Sequence, residues 1–409
     1  MQIMKITYNK IFLLFAFLLG LGIFAYGLWR DELPRPEGMA KEGQIEEVKM
    51  SEIDRLLEDR KKEVAEEGEH ADIFGDDNKV SILLLGLDSR AGQKSGHCDA
   101  IQLFNIDRAL DTVSITAVPR GTYSPLPPGG PLRPTSSYYV SNACGIGGLE
   151  YGINQIQKIL GQKADYIVVV GFSETLGILR KFKLPTMQTL QWLRHRKGYS
   201  IGEPQRAHNH STFLKHLMVK YTPADLSKID TVFHYILYKT VETDLSFPQV
   251  RGLITELSQM ELDAHPERIT LSMKPRYPVQ DIAYDPENLE EQLHNVLDPI
   301  KHLLSPEDYK EITDQSAEDR IVNIIEKKKN DPVFVDWSFK NDLWLQIDND
   351  EKRENARYDL MTKYIARLSS KEEKEQILED YILEMEQTGM KERGDKARAL
   401  LEALIAKID

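Results

Sequence analysis

Residues Val80–Leu87, VSILLLGL, are apolar apart from Ser81 and Gly86. A run this short, closed by the polar turn Asp88-Ser89-Arg90, predicts a fully buried strand. A Gly/Lys/Ser loop follows, Ala91–Gly96, and then Asp99. Ala100–Ile106 and Thr112–Val118 predict two further strands around the polar turn Asp107–Asp111. The third strand ends at Pro119 and Arg120, and the proline-rich Ser124–Pro134 is a loop. Ile153, Ile156, Ile159 and Leu160 give Leu149–Leu160 the apolar face of a helix. Asp165–Gly171 reads as a short buried strand of a mixed α/β sheet. A helix over Ser173–Phe182 follows, and Thr189–Arg196 reads as extended. Lys215–Tyr221 continues a helix that starts near Arg206. Tyr235–Val241, a helix over Phe247–Leu262 and a strand near Arg268–Lys274 complete this part of the chain.

The two ends have other patterns. Ile11–Trp29 carries no charge. As a helix it would span about 28 Å, close to the ~30 Å hydrocarbon core. Lys5 and Lys10 precede it, and Asp31 and Glu32 follow Arg30. The positive-inside rule then puts the N-terminus in the cytoplasm and the rest outside. Ala25-Tyr26-Gly27 would suit a cleaved signal peptide, but the run is longer than a signal core, which favours an anchor. Residues 31–79 are an acidic stalk with 17 acids against 8 bases. In it Met50, Ile53, Leu57 and Val64 share a helical face, for packing on the chain's own domain or for self-association. At the other end, Ser305-Pro306-Glu307 is a helix start. Apolar stripes at Leu360–Leu368, Ile377–Met385 and Leu400–Ile405 predict a helical appendage over 305–409, and Ser370–Glu373 resembles a capping box. Partner docking and self-packing are both open for it. The chain thus divides into 1–30, 31–79, 80–304 and 305–409.

The net charge is −13, which argues against nucleic-acid binding. In an acidic chain, clustered arginines carry more information. Asp88, Asp99, Arg90 and Arg120 bracket a glycine-bearing loop. Carboxylates suit Mg²⁺ and guanidiniums suit phosphate, although the same residues serve ordinary turns. The chain has two cysteines, Cys98 and Cys144, without a Cys-x-x-Cys spacing. An oxidising compartment would allow a disulfide, and two thiols fit equally. His208, His210 and His216 near a helix start read as solvated or capping residues, since no carboxylate spacing supports zinc.

Asp88-Ser89-Arg90, Cys98-Asp99-Ala100 and Pro119-Arg120-Gly121 resemble the opening of the LytR–CpsA–Psr family, membrane-anchored glycopolymer transferases of bacterial cell walls. Asn142-Ala143 and Gly147-Gly148 resemble its next motif. Leu190, Trp192, Arg194, Arg196, Gly202-Glu203 and Arg206 resemble its arginine-rich segment. The resemblance runs to about residue 300. Four features depart from the family pattern: Gly121 for Asp, His97 for Arg, Asn209-His210 for Arg-Gln, and a shortened loop at Arg180–Pro185.

The resemblance implies an α/β domain, a central mixed sheet flanked by helices, holding a polyprenyl-diphosphate-linked glycan with its lipid tail in an apolar groove. It implies Asp88, Asp99 and Arg120 as catalytic residues. Arg90, Arg120, Arg194, Arg196, Arg206 and His210 would bind the diphosphate, with Arg194 and Arg196 as one clamp. Mg²⁺ would sit on Asp88 and Asp99. The reaction would move a glycan phosphate to a peptidoglycan or other wall hydroxyl outside the membrane. A lipid-diphosphate hydrolase and a non-catalytic wall-binding scaffold are the alternatives.

Overall fold

The computed structural model of the protein describes residues 52–66, 72–88, 96–129, 133–222, 231–303 and 314–406. The apolar segment Ile11–Trp29, the stalk as far as residue 51, Arg90 with its glycine-bearing loop and the helix start at Ser305 lie outside the described residues. Among those described, no helix is long and apolar enough to cross a membrane. The described residues form two compact units, one from 51–230 and 240–311, the other from 231–239 and 312–409.

The first unit opens with α1 (Glu52–Glu66), β1 (Lys79–Asp88), β2 (His97–Asp107) and β3 (Thr112–Ala117). Leu57 of α1 is buried in the same apolar cluster as Leu83 and Leu85, so the stalk's stripe packs on its own domain there. Next come α2 (Val140–Gly147), α3 (Leu149–Leu160) and β4 (Tyr166–Gly171). Gly148 joins α2 to α3 at φ 90°, and Gly161 ends α3 in the left-handed region at φ 72°, where glycine has no Cβ to clash. Then follow α4 (Phe172–Lys181), α5 (Thr186–Arg194) and α6 (Gly202–Tyr221). After α7 (Thr231–Tyr238), which belongs to the second unit, β5 (Glu242–Thr243), α8 (Phe247–Gln259), β6 (Ile269–Met273) and α9 (Leu289–Leu297) complete the first.

The sheet is mixed, in the order β5-β4-β1-β2-β3-β6. β1 pairs antiparallel with β2 and parallel with β4; β3 pairs antiparallel with β2 and parallel with β6. Every residue from Val80 to Asp88 is buried, as expected of a central strand covered on both faces. Leu83, Leu85, Ile101 and Leu103 meet Val140, Leu149, Ile153 and Ile156 of α2 and α3. Burying each such side chain contributes roughly 1.5–3 kcal/mol. The Gln102 amide belongs to a polar contact with α6: it donates to Ala207 O and accepts from Ser211 Oγ.

Thr189–Arg196, expected as extended, is instead mostly helix: α5 runs to Arg194, and only from His195 is the backbone extended. Thr189 and Leu190 each lie one helical turn before Leu193, all three are buried, and no β-branched run opposes the helix.

The second unit holds α7 with α10 (Asp314–Lys328), α11 (Pro332–Lys340), α12 (Asp350–Ile365), α13 (Lys371–Gln387) and α14 (Lys391–Ala406). Asp331, Asn349 and Ser370 cap α11, α12 and α13 through their side chains. Trp344, Leu360 and Tyr364 centre one apolar cluster, and Met361, Tyr381 and Met385 another. Arg357 lies between them. It pairs with Glu384 at 2.7 Å and stands 4.9 Å above the Tyr381 ring.

Candidate functional site

The site begins at an irregularity in the β1–β2 ladder. Gly86 pairs with Ala100 and Leu87 with Cys98, so Asp99 is an extra residue without a ladder partner. Such a bulge re-aims a side chain. Asp99 is buried, as is Asp88 at the end of β1. Beside the bulge, Cys98 is joined to Cys144 of α2 in a disulfide, which settles the pairing the sequence left open. A Cβ on Gly152 would come within 2.3 Å of Cys144 Sγ, so that glycine lets α3 lie against the bridge.

Arg120 follows β3, and its backbone carbonyl accepts from Ser141 N. Its guanidinium donates to Asp99 Oδ1 at 2.7 Å. Across from it, the first turn of α6 supplies Glu203. The Glu203 carboxylate lies 3.7 Å from Arg120 Nε and 3.9 Å from Arg196, and it accepts a close hydrogen bond from Arg206. Gly202 makes this possible, because a Cβ there would meet the Arg196 carbonyl at 2.5 Å. The loop from α5 therefore folds tightly onto the start of α6.

Burial sets the electrostatics. It pushes Asp99 up to about 6, against the pull of Arg120 and Arg206, and the Asp88 charge adds to the rise. It lowers Arg206 to about 10, with Glu203 opposing the fall. Asp88 and Asp99 are the pair of hard oxygen donors here. Among the described residues, no group of three or more His, Cys, Asp or Glu could hold a metal ion. Two carboxylates leave the remaining positions to water and ligand oxygens, an arrangement that Mg²⁺ accepts.

The structure thus brings Asp88, Asp99, Arg120 and Arg206 together, with Arg196 at the rim. Arg194 ends α5 and is half-buried; it and Arg196 do not share an extended face. His210, expected on the diphosphate, is buried and donates to Leu193 O. Burial and the nearby Arg206 charge push its pKa down to about 3, so it is neutral and serves packing. His208 and His216 are not solvated either: His208 pairs with Asp281, and His216 packs edge-on to Tyr284. Glu203 was missing from the expected site residues. Its signal was an acid in a helix's first turn, three residues before an arginine.

The model of the LytR_cpsA_psr family matches residues 43–175. Over that stretch the chain is similar to the LytR–CpsA–Psr family. The matched segment carries Asp88, Asp99 and Arg120 and ends before Arg194, Arg196 and Arg206. The chain is 24% identical over 242 residues to a polyisoprenyl-teichoic acid–peptidoglycan teichoic acid transferase, TagU, of Oceanobacillus iheyensis, covering 52% of this chain and 73% of the relative. It is 23% identical over 199 residues to TagU of Bacillus licheniformis, covering 49% of this chain and 56% of that relative, so it spans little more than half of that protein. The crystal structure of B. subtilis TagV is 17% identical, with a TM-score of 0.41, over 55% of this chain and 98% of that one.

Proposed function

We propose that this protein transfers a glycan phosphate from a polyprenyl-diphosphate carrier to a cell-wall hydroxyl, with peptidoglycan as the acceptor. One observation carries the reading: buried Asp88 and Asp99 adjoin Arg120 and buried Arg206 in a single cluster. Phosphoryl transfer asks for positioning and charge neutralisation more than for covalent chemistry. Guanidiniums supply both, because their forked donors match phosphate oxygens. In this reading Arg120 and Arg206 hold the diphosphate and Arg196 closes over it from the solvent side. Arg90 and Arg194 are assigned by resemblance. Asp88 and Asp99 would hold Mg²⁺, which when bound neutralises charge developing on the leaving group.

A wall hydroxyl attacks the sugar-linked phosphorus, polyprenyl phosphate leaves, and a phosphodiester remains. The donor is already activated, so the site needs no nucleoside triphosphate. That suits a domain held outside the membrane by an anchor at Ile11–Trp29. The name of the two curated relatives, teichoic acid transferase, favours a wall polymer as the transferred glycan.

The test is product analysis with a short-chain polyprenyl-diphosphate glycan, with and without a peptidoglycan acceptor. The expected result is acceptor-dependent release of polyprenyl phosphate. Equal release without acceptor would make the protein a hydrolase. Binding without turnover would make it a scaffold.

A further inference from the structure

Glu203 holds a position that the proposed reaction does not explain. Its carboxylate faces three guanidiniums from three segments: Arg120 after β3, Arg196 from the α5–α6 loop and Arg206 on α6. The Arg206 side chain is 0% exposed and that of Glu203 is 21% exposed. The acid therefore lies on the solvent side of Arg206, the innermost of the three bases, while Arg120 at 25% and Arg196 at 50% exposure stand outside it. Another ion pair of this unit has the opposite layering to Glu203–Arg206. At Arg60–Asp244 the acid is fully buried and the arginine is the partly exposed partner.

Two further facts bear on whether Glu203 can leave. Arg120 has a second anchor in Asp99, so it stays in place without Glu203. And the nearest neighbour of a Cβ built at Gly121 would be Glu203 Cγ, 3.8 Å away. With glycine at 121, space beside the Glu203 stem stays open.

We propose that Glu203 is the resting counter-ion of the phosphate clamp, and that the diphosphate displaces its carboxylate from Arg120, Arg196 and Arg206. Glu203 is a positioning residue: it keeps the guanidiniums converged while the site is empty and weakens anion binding by its charge. The inference rests on the diphosphate reading above.

The experiment is calorimetric titration of the full chain in detergent with inorganic pyrophosphate, alongside thermal unfolding. Glu203→Gln keeps an acceptor for Arg206 and removes the charge. It should bind pyrophosphate roughly tenfold more tightly than the wild type, the size of one nearby unit charge in a partly solvated site. Its unliganded Tm should fall, and pyrophosphate should raise that Tm by more than it raises the wild-type value. If Glu203→Gln does not fold, Glu203→Asp withdraws the carboxylate by one methylene and should shift affinity the same way by less. Binding by the variant alone would also support displacement. A wild type that binds pyrophosphate and a folded variant that binds no more tightly would overturn this inference and leave the diphosphate reading standing. Absence of binding in the wild type and in both variants would overturn the two together.

Discussion

Asp99 and Arg120 meet across the β2–β3 hairpin, carboxylate oxygen to guanidinium nitrogen at 2.7 Å, at the bulge of the β1–β2 ladder. The contact fixes one face of the site, because each side chain restricts the other. It also makes Asp99 separable by chemistry. Asp99→Asn retains the volume and an acceptor for Arg120 but loses the charge that would hold Mg²⁺. Turnover should drop on the order of 10²–10³-fold, with the Tm nearly unchanged. Product formation over a Mg²⁺ series, read beside thermal unfolding, checks both halves. Unaltered Mg²⁺-dependent turnover would remove Asp99 from the metal site.

The arginine pair of the α5–α6 segment should act unequally. Arg196 faces Glu203 and is half-exposed, whereas Arg194 sits in the last turn of α5, where its charge complements the helix C-terminus. Arg196→Ala should weaken short-chain polyprenyl-diphosphate binding by roughly tenfold, near the low end for a charge-assisted hydrogen bond. Arg196→Lys should restore part of it, keeping the charge without the fork. Arg194→Ala should cost less. Titration of the three variants decides, and equal losses at 194 and 196 would restore the two-arginine clamp.

The parts of this molecule that were legible in its sequence share one property: their burial is apolar. β1 was readable because eight residues sink into a sheet covered on both faces, and α3 because Ile153 and Ile156 recur at helical spacing. The register that makes Asp99 an extra residue leaves no local trace, since it depends on how β1 and β2 align. The helix of α6 was readable, but its burial was hidden for a different reason. Residues 205–212 are all buried, including Arg206, His208, Asn209 and His210. Hydrogen bonds to other segments meet several of these polar groups. Gln205 bonds the Gln280 carbonyl, His210 the Leu193 carbonyl and Ser211 the Gln102 side chain. A stretch that is polar all round normally signals solvent. Here tertiary partners reverse that reading, and they lie up to about 110 residues away in sequence.

The Cys98–Cys144 bridge spans a sequence separation of 46 and anchors the strand that carries Asp99. Loop-closure entropy for that separation is about 4 kcal/mol, within the usual range for native disulfides. The double variant Cys98→Ala, Cys144→Ala should therefore unfold at distinctly lower denaturant concentration. It should also lose turnover under conditions where it is still folded, because the bulge next to Asp99 is no longer tied to α2. Alkylation of denatured, non-reduced protein should label neither cysteine. Full labelling without reductant would show two thiols.

His210 makes the acid side of the stability profile specific. Its pKa is pushed down to about 3 by burial first and by the Arg206 charge second. An unfolded histidine titrates near ~6.5. Between those values the unfolded chain carries a proton at this position that the folded chain refuses. Stability therefore rises with pH across that window and is lost as pH falls from about 6.5 toward 3. Each unit of difference is worth about 1.4 kcal/mol, so the loss from this one residue is on the order of a few kcal/mol. His210→Asn removes the titration and can still donate to Leu193 O from its side-chain amide. The variant's stability should be flatter than the wild type's between pH 6.5 and 4, whatever its value at pH 7. Urea unfolding at half-unit pH steps measures the slope. A wild type and variant with parallel profiles would mean that His210 is protonated, or exposed, in the folded protein, and would return it to the set of residues able to meet a phosphate.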